Sequence, residues 1–241
     1  MPLGERSLIR SLCKKMAEEV KLIGLSMSMF VIRVKIALNL KGVKYENLEE
    51  TFGSKSELLL KSNPIYKKVP VLIHNGKTIC ESMIIVQYVD DVWSDAGPSI
   101  VPSDPFDAAM ARFWSYYIDD KWFPAYGEVI KGQTREAKIE AAKEAIATLQ
   151  PLEEVFQQQS KGKDFFGGDT IGYLDIALGC YLGWIKAAEK LTGLEFFDKN
   201  ETPLLAAWAE CFYSNDAVKC AVPDVDEFVE FSIKIQAKLN A

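Results

Sequence analysis

Short apolar runs broken by turn formers fill the chain from residue 20 to residue 93, and beyond residue 105 apolar positions recur at every third or fourth place. Residues 20–24, VKLIG, read as a strand, and a loop at 25–29 leads into residues 30–40. There Val31, Val34, Ala37 and Leu38 share a helical face before a Lys41-Gly42 stop. Residues 43–50 alternate as a half-exposed second strand parallel to the first, and residues 56–61 form a short helix. Residues 69–73, the Asn75-Gly76 turn and residues 78–80 then make a hairpin, and Glu81-Ser82 opens the next helix. His74, beside the turn, reads as a solvent-facing strand residue.

Pro70 is the informative position in that hairpin. A proline cannot donate to a sheet ladder, so it belongs at a strand start or on an edge. An edge leaves the Val69 backbone open to an extended peptide, with a carboxylate or amine of the same ligand caught where Glu81 and Ser82 begin the helix. The same residues would also serve as an ordinary hairpin leading into a helix.

The turn-rich stretch SDAGPSIVPSDP ends this pattern and reads as a linker, placed at residues 95–105 between a unit at 17–94 and a helical unit at 106–241. Within the second unit, helices are expected over 106–122, as one long charged amphipathic helix over 134–159, as a central buried helix over 174–191, and over 204–213 and 227–239. Residues 1–16 fit none of these patterns and read as a disordered extension. Strand-helix-strand-helix-hairpin-helix followed by helices predicts an α/β N-terminal thioredoxin-like domain plus an all-α C-terminal domain.

Composition narrows the function classes. With 49% apolar and 26% charged residues over 241 positions the chain is ordinary globular protein, and no apolar stretch approaches a membrane span. A net charge of −6 without basic-aromatic interleaving argues against a nucleic-acid binder. Cys13, Cys80, Cys180, Cys211 and Cys220 are scattered, odd in number and without a CxxC pair, which points to a reducing, cytoplasmic compartment and away from structural zinc. With His74 as the single histidine, no metal site is expected.

A thioredoxin-like unit with Val69-Pro70 and Glu81-Ser82, a linker, and a helical unit carrying GDTIGYLDIAL resemble a cytosolic glutathione transferase. Ser28-Met29-Phe30-Val31-Ile32-Arg33-Val34 is similar to the SPF-x-x-RV loop of the plant tau class except at Met29. KSELLLKSNPIYKKVPVLIHNG, ICESMIIVQYVDDVW and ARFW extend the resemblance along nearly the whole chain from Ala17. Met29 stands where the class more often has proline and Ser26 where it often has tryptophan, which alters the shape of the pocket beside the thiol.

The resemblance implies glutathione as co-substrate, a homodimer, and a function in detoxification and stress response. It gives both backbone groups of Val69, before a cis Pro70, to the cysteinyl unit, Ser82 to the γ-glutamyl carboxylate, Glu81 to the α-ammonium and Lys55 to the glycyl carboxylate. It makes Ser28 the hydroxyl that donates to the thiolate. Phe30, Phe123, Trp184, Phe228 and Phe231 are the aromatics it implies for the electrophile pocket, although aromatics at helical spacing serve equally as core. Conjugation to hydrophobic electrophiles, with reduction of peroxides as a companion activity, is the expected chemistry. A non-catalytic carrier of hydrophobic metabolites is the alternative, and thiol-disulfide exchange would need a cysteine in place of Ser28.

Overall fold

The computed structural model describes residues 19–239, so the extension expected at residues 1–16 lies outside the described residues. In chain order the first half comprises β1 (Val20–Gly24), α1 (Met29–Leu40), β2 (Glu46–Glu49), α2 (Glu57–Ser62), β3 (Val71–His74), β4 (Lys77–Cys80) and α3 (Ser82–Val92). The sheet has the order β2-β1-β3-β4, with β2 parallel to β1 and the other neighbours antiparallel.

Strand alternation sorts the apolar residues onto the two faces of this sheet. Leu22 and its partner Leu72 join the large core with Val31, Val34, Ile85 and Val89 of α1 and α3. Ile23 and its partner Val71 pack with Leu59 of α2 on the other face. α1 is buried almost all round because the helical half of the protein covers the face that the sheet leaves free.

Pro70 takes one of the two places open to it, and one expectation for the hairpin changes. Pro70 stands at a strand start and not on an edge, because β3 is paired on both sides, to β1 and to β4. His74 is buried and not solvent-facing: its Nδ1 lies 2.8 Å from the Tyr88 hydroxyl and its ring 5.0 Å from that of Trp93. The β3 register turns it towards α3, and the imidazole shields the end of the core there.

Residues 93–104 connect the halves without regular structure, yet they are firmly anchored. Asp90 accepts from the amides of Ile100 and Val101 at 3.0 and 2.9 Å and pairs with the buried Lys41 ammonium at 2.7 Å, which also donates to the Pro98 carbonyl. Gly97 has φ +62°, and a Cβ there would fall 2.1 Å from the Leu40 carbonyl oxygen, so both backbone shape and space require glycine.

The second half comprises α4 (Pro105–Tyr117), a π-helical turn (Ile118–Trp122), α5 (Phe123–Lys131), α6 (Arg135–Ala147), α7 (Gln150–Gln159), α8 (Tyr173–Gly179), α9 (Leu182–Thr192), α10 (Pro203–Ser214), α11 (Asp216–Lys219) and α12 (Val225–Leu239). The single helix expected over 134–159 is two helices, because Pro151 cannot continue the first and instead sits in the opening turn of α7. The helix expected over 174–191 is likewise interrupted, at Cys180-Tyr181 between α8 and α9. Asp175 is fully buried at the start of α8. It accepts the amides of Phe166, Gly167 and Gly172 and the Trp208 indole N–H, and burial pushes its carboxyl up to about 6 against the pull of those four donors.

Candidate functional site

The loop after β1 delivers Ser28 to the start of α1. The Ser28 amide donates to the Leu25 carbonyl at 2.8 Å, and its own carbonyl accepts from Val31 and Ile32, so the residue is the helix N-cap with φ −78° and ψ 117°. Its hydroxyl makes no capping bond. A donor that is not used by the helix therefore stands at the positive end of α1, whose first turn carries no acidic residue. Two neighbours hold the loop. The Ser26 amide donates to Glu49 Oε1 at 2.6 Å, and the Trp184 indole N–H donates to the Met27 carbonyl at 2.9 Å from the helical half. Burial would raise the Glu49 carboxyl, but the donors at Ser26 and Asn47 and the charge of Lys35 outweigh it and hold the group below the ordinary range.

The Val69–Pro70 peptide bond is cis. The buried Asn63 organises the approach to it, donating to the Lys68 carbonyl at 3.0 Å and accepting the Tyr66 amide at 3.1 Å. Val69 is half-buried, and its backbone groups make no protein hydrogen bond among the described residues. Lys55 lies on the exposed loop after β2, which Glu50 braces by accepting from the Ser56 amide and hydroxyl. Lys55 and Val69 line one cavity of about 340 Å³, together with Leu25, Phe52 and Lys68.

Glu81 and Ser82 open α3 in unlike ways. Glu81 is exposed and has φ 70° and ψ 118°, a region a side chain seldom occupies, and its carboxylate caps nothing. Nothing in the sequence signals that backbone. Ser82 is buried, and its Oγ accepts from Arg33 Nη1 at 3.3 Å, which leaves the hydroxyl proton free to donate outward.

Arg33 is fully buried and joins the two halves directly beneath Ser82. Its guanidinium grips Asp119 of the π-helical turn with two bonds of 2.9 and 2.6 Å, donates to the Ala177 carbonyl at 2.8 Å, and places Nε 3.2 Å from Cys180 Sγ. Tyr181 donates to the same Asp119 at 3.0 Å. Burial pushes the Cys180 thiol up to about 12, so it stays protonated at neutral pH. The sequence pattern uses Arg33 only as a motif position. An arginine inside the apolar run of α1 is the signal that marks it as a buried ion-pair residue.

The five expected pocket aromatics separate into two pairs and a single residue. Phe30 and Phe123 meet edge to face at 5.6 Å across the domain boundary, beside Tyr181, and both are half-buried. Trp184 and Phe228 are 3% and 0% exposed, so they are core and do not offer a face to a cleft; they pack on each other at 5.3 Å. Phe231 is half-buried and bridges from Trp184 to Phe52. Among the described residues there is no cluster of side chains able to hold a metal ion, and no helix is long and apolar enough to cross a membrane.

Two family models match the chain: glutathione S-transferase, N-terminal domain, over residues 18–91, and glutathione S-transferase, C-terminal domain, over residues 107–211. The chain is 53% identical over 229 residues to glutathione S-transferase U17 of Arabidopsis thaliana, covering 93% of this chain and 99% of that protein. It is 50% identical over 224 residues to glutathione S-transferase U18 of the same plant, again covering 93% and 99%. Among solved structures it is similar to the tau class glutathione S-transferase of mango, Mangifera indica, with 52% identity and a TM-score of 0.84 over 90% of this chain and 98% of that one. It is also similar to a rice glutathione S-transferase in complex with glutathione, at 32% identity and a TM-score of 0.81 over 92% and 98% of the two chains.

Proposed function

This chain belongs to the glutathione S-transferase family, tau class, and from that premise we propose that it conjugates the glutathione thiolate to hydrophobic electrophiles, with Ser28 as the catalytic residue. The observation that carries the reading is the Ser28 hydroxyl, placed at the N-terminus of α1 and committed to no cap. A neutral hydroxyl does not ionise at pH 7, so it acts on the thiolate as a donor and not as a base. One hydrogen bond to a charged group is worth about 1.5–3 kcal/mol, which lowers a thiol pKa by roughly one to two units.

Glutathione runs from Lys55 to Glu81. The unpaired backbone of Val69 meets the cysteinyl unit, Ser82 donates to the γ-glutamyl carboxylate, Glu81 receives the α-ammonium, and Lys55 meets the glycyl carboxylate. Arg33 acts through Ser82: by donating to its oxygen it turns the hydroxyl proton towards the ligand. The electrophile sits against Phe30 and Phe123, with Phe231 at the C-terminal side. Turnover of chlorodinitrobenzene with glutathione tests the assignment, set beside direct binding of both to the same preparation. Binding without turnover would replace it with ligand carriage.

The protein acts as a homodimer in this reading. Phe106, Phe113 and Tyr116 are exposed on α4, Ile84 is exposed on α3, and Ile65 is 81% exposed on the loop before Pro70. Exposed apolar side chains of this size suit burial against a second copy. The free cysteines Cys80, Cys180, Cys211 and Cys220 fit a reducing compartment, the cytoplasm.

A further inference from the structure

The end of α12 lies over the loop that carries Lys55. Phe231 and Lys238 are seven residues apart, two helical turns, and both reach Phe52: the Phe231 ring at 4.7 Å, the Lys238 ammonium at 5.0 Å from the ring centroid. Next to Phe52, Gly53 has φ +87°, and a Cβ built on it would come 2.7 Å from Lys238 Nζ. The ammonium is therefore set down on the backbone two residues before Lys55.

The charged residues around the adjoining cavity are mostly basic. Lys55, Lys67, Lys68 and Lys238 all line it, and none of the four has a carboxylate partner among the described residues. Its one acidic wall residue, Glu50, is occupied by Ser56. In a chain of net charge −6, four unpaired ammonium groups around one cavity make a site for an anion. Lys238 differs from the other three because it comes from the helical half and rests over the Phe52 ring, so less side-chain freedom remains to be lost on binding.

We propose that Lys238 is a further binding residue, which closes on the glycyl carboxylate of glutathione opposite Lys55, so that α12 clasps the tripeptide from the helical half. The proposal rests on the reading that glutathione occupies this cleft. It makes the terminal carboxylate a recognition element read by both halves of the protein, and it selects γ-glutamyl-cysteinyl peptides that end in a free acid over those that end in an amide. Phe52 and Phe231 are positioning residues that hold the ammonium over Gly53.

The test compares calorimetric binding of glutathione and of glutathione carboxamide, in which the glycyl acid is an amide, to the wild type, Lys238→Met and Lys238→Arg. Lys238→Met is expected to weaken glutathione binding about two- to fivefold and to leave carboxamide binding as in the wild type, with Lys238→Arg restoring most of the loss. The wild-type advantage for the acid should shrink as sodium chloride is raised, since exposed charges are screened. Equal loss for both peptides, or no loss for either, overturns the clasp while leaving glutathione as the ligand. Failure of the wild type to bind either peptide overturns the clasp and the glutathione assignment together.

Discussion

The Trp184 indole N–H donates to the Met27 carbonyl at 2.9 Å, so a side chain of α9 holds the backbone immediately before Ser28. The loop that carries Ser28 in the first half is thus fixed from the second. Trp184→Phe keeps an aromatic ring but removes the donor and leaves a buried carbonyl unpaired. That should cost about 1–3 kcal/mol in urea denaturation and lower turnover more than glutathione affinity.

Arg33 and Asp119 form an asymmetric pair: the arginine side chain is 0% exposed and the aspartate side chain 34%. Removing the carboxylate strands a buried cation, whereas removing the arginine leaves an acid that can turn to water. Asp119→Ala is therefore expected to cost about 3–5 kcal/mol, and Arg33→Met less, when the two are compared by denaturant unfolding. The reverse order would contradict this account of the domain boundary.

Glu81 opens α3 with a backbone that favours glycine. Glu81→Gly should raise stability by up to about 1 kcal/mol, because glycine relieves the strain at φ 70° and its greater freedom in the unfolded chain offsets only part of that gain, while raising the KM for glutathione. Thermal unfolding and steady-state kinetics on the same variant check both halves of the trade.

Glu49 links pH to the same loop. Its carboxyl is held below the ordinary value, so the stability it contributes is fully present above the unfolded glutamate pKa of about 4.3 and is lost as pH falls through the lower folded value. Glu49→Gln should lessen the acid-side loss of stability in a pH series of thermal midpoints, and leave the neutral-to-alkaline side parallel to the wild type.

The strands, the hairpin and α1 were legible because their apolar spacing is local, and so were the motif positions Ser28, Val69-Pro70 and Glu81-Ser82. His74 was not, because whether a strand residue faces water depends on the helix that covers the sheet, here through Tyr88 and Trp93. The breaks at Pro151 and at Cys180-Tyr181 interrupt a pattern whose apolar period carries on across them. The aromatics of the helical half could be placed on helix faces, yet only packing separates Trp184 and Phe228, which are core, from Phe30 and Phe123 at the boundary. Arg33 with Asp119 and Phe52 with Lys238 join residues 86 and 186 positions apart, pairings no periodicity reports.

The most direct test of the central assignment is the thiol pKa of bound glutathione, titrated by thiolate absorbance in the wild type, Ser28→Ala and Ser26→Ala. The account predicts that Ser28→Ala raises that pKa by roughly one to two units and lowers turnover at neutral pH about ten- to hundredfold, with part of the loss recovered at alkaline pH, while Ser26→Ala changes little. A thiol pKa that is the same with and without the Ser28 hydroxyl, or one that rises only in Ser26→Ala, would contradict it.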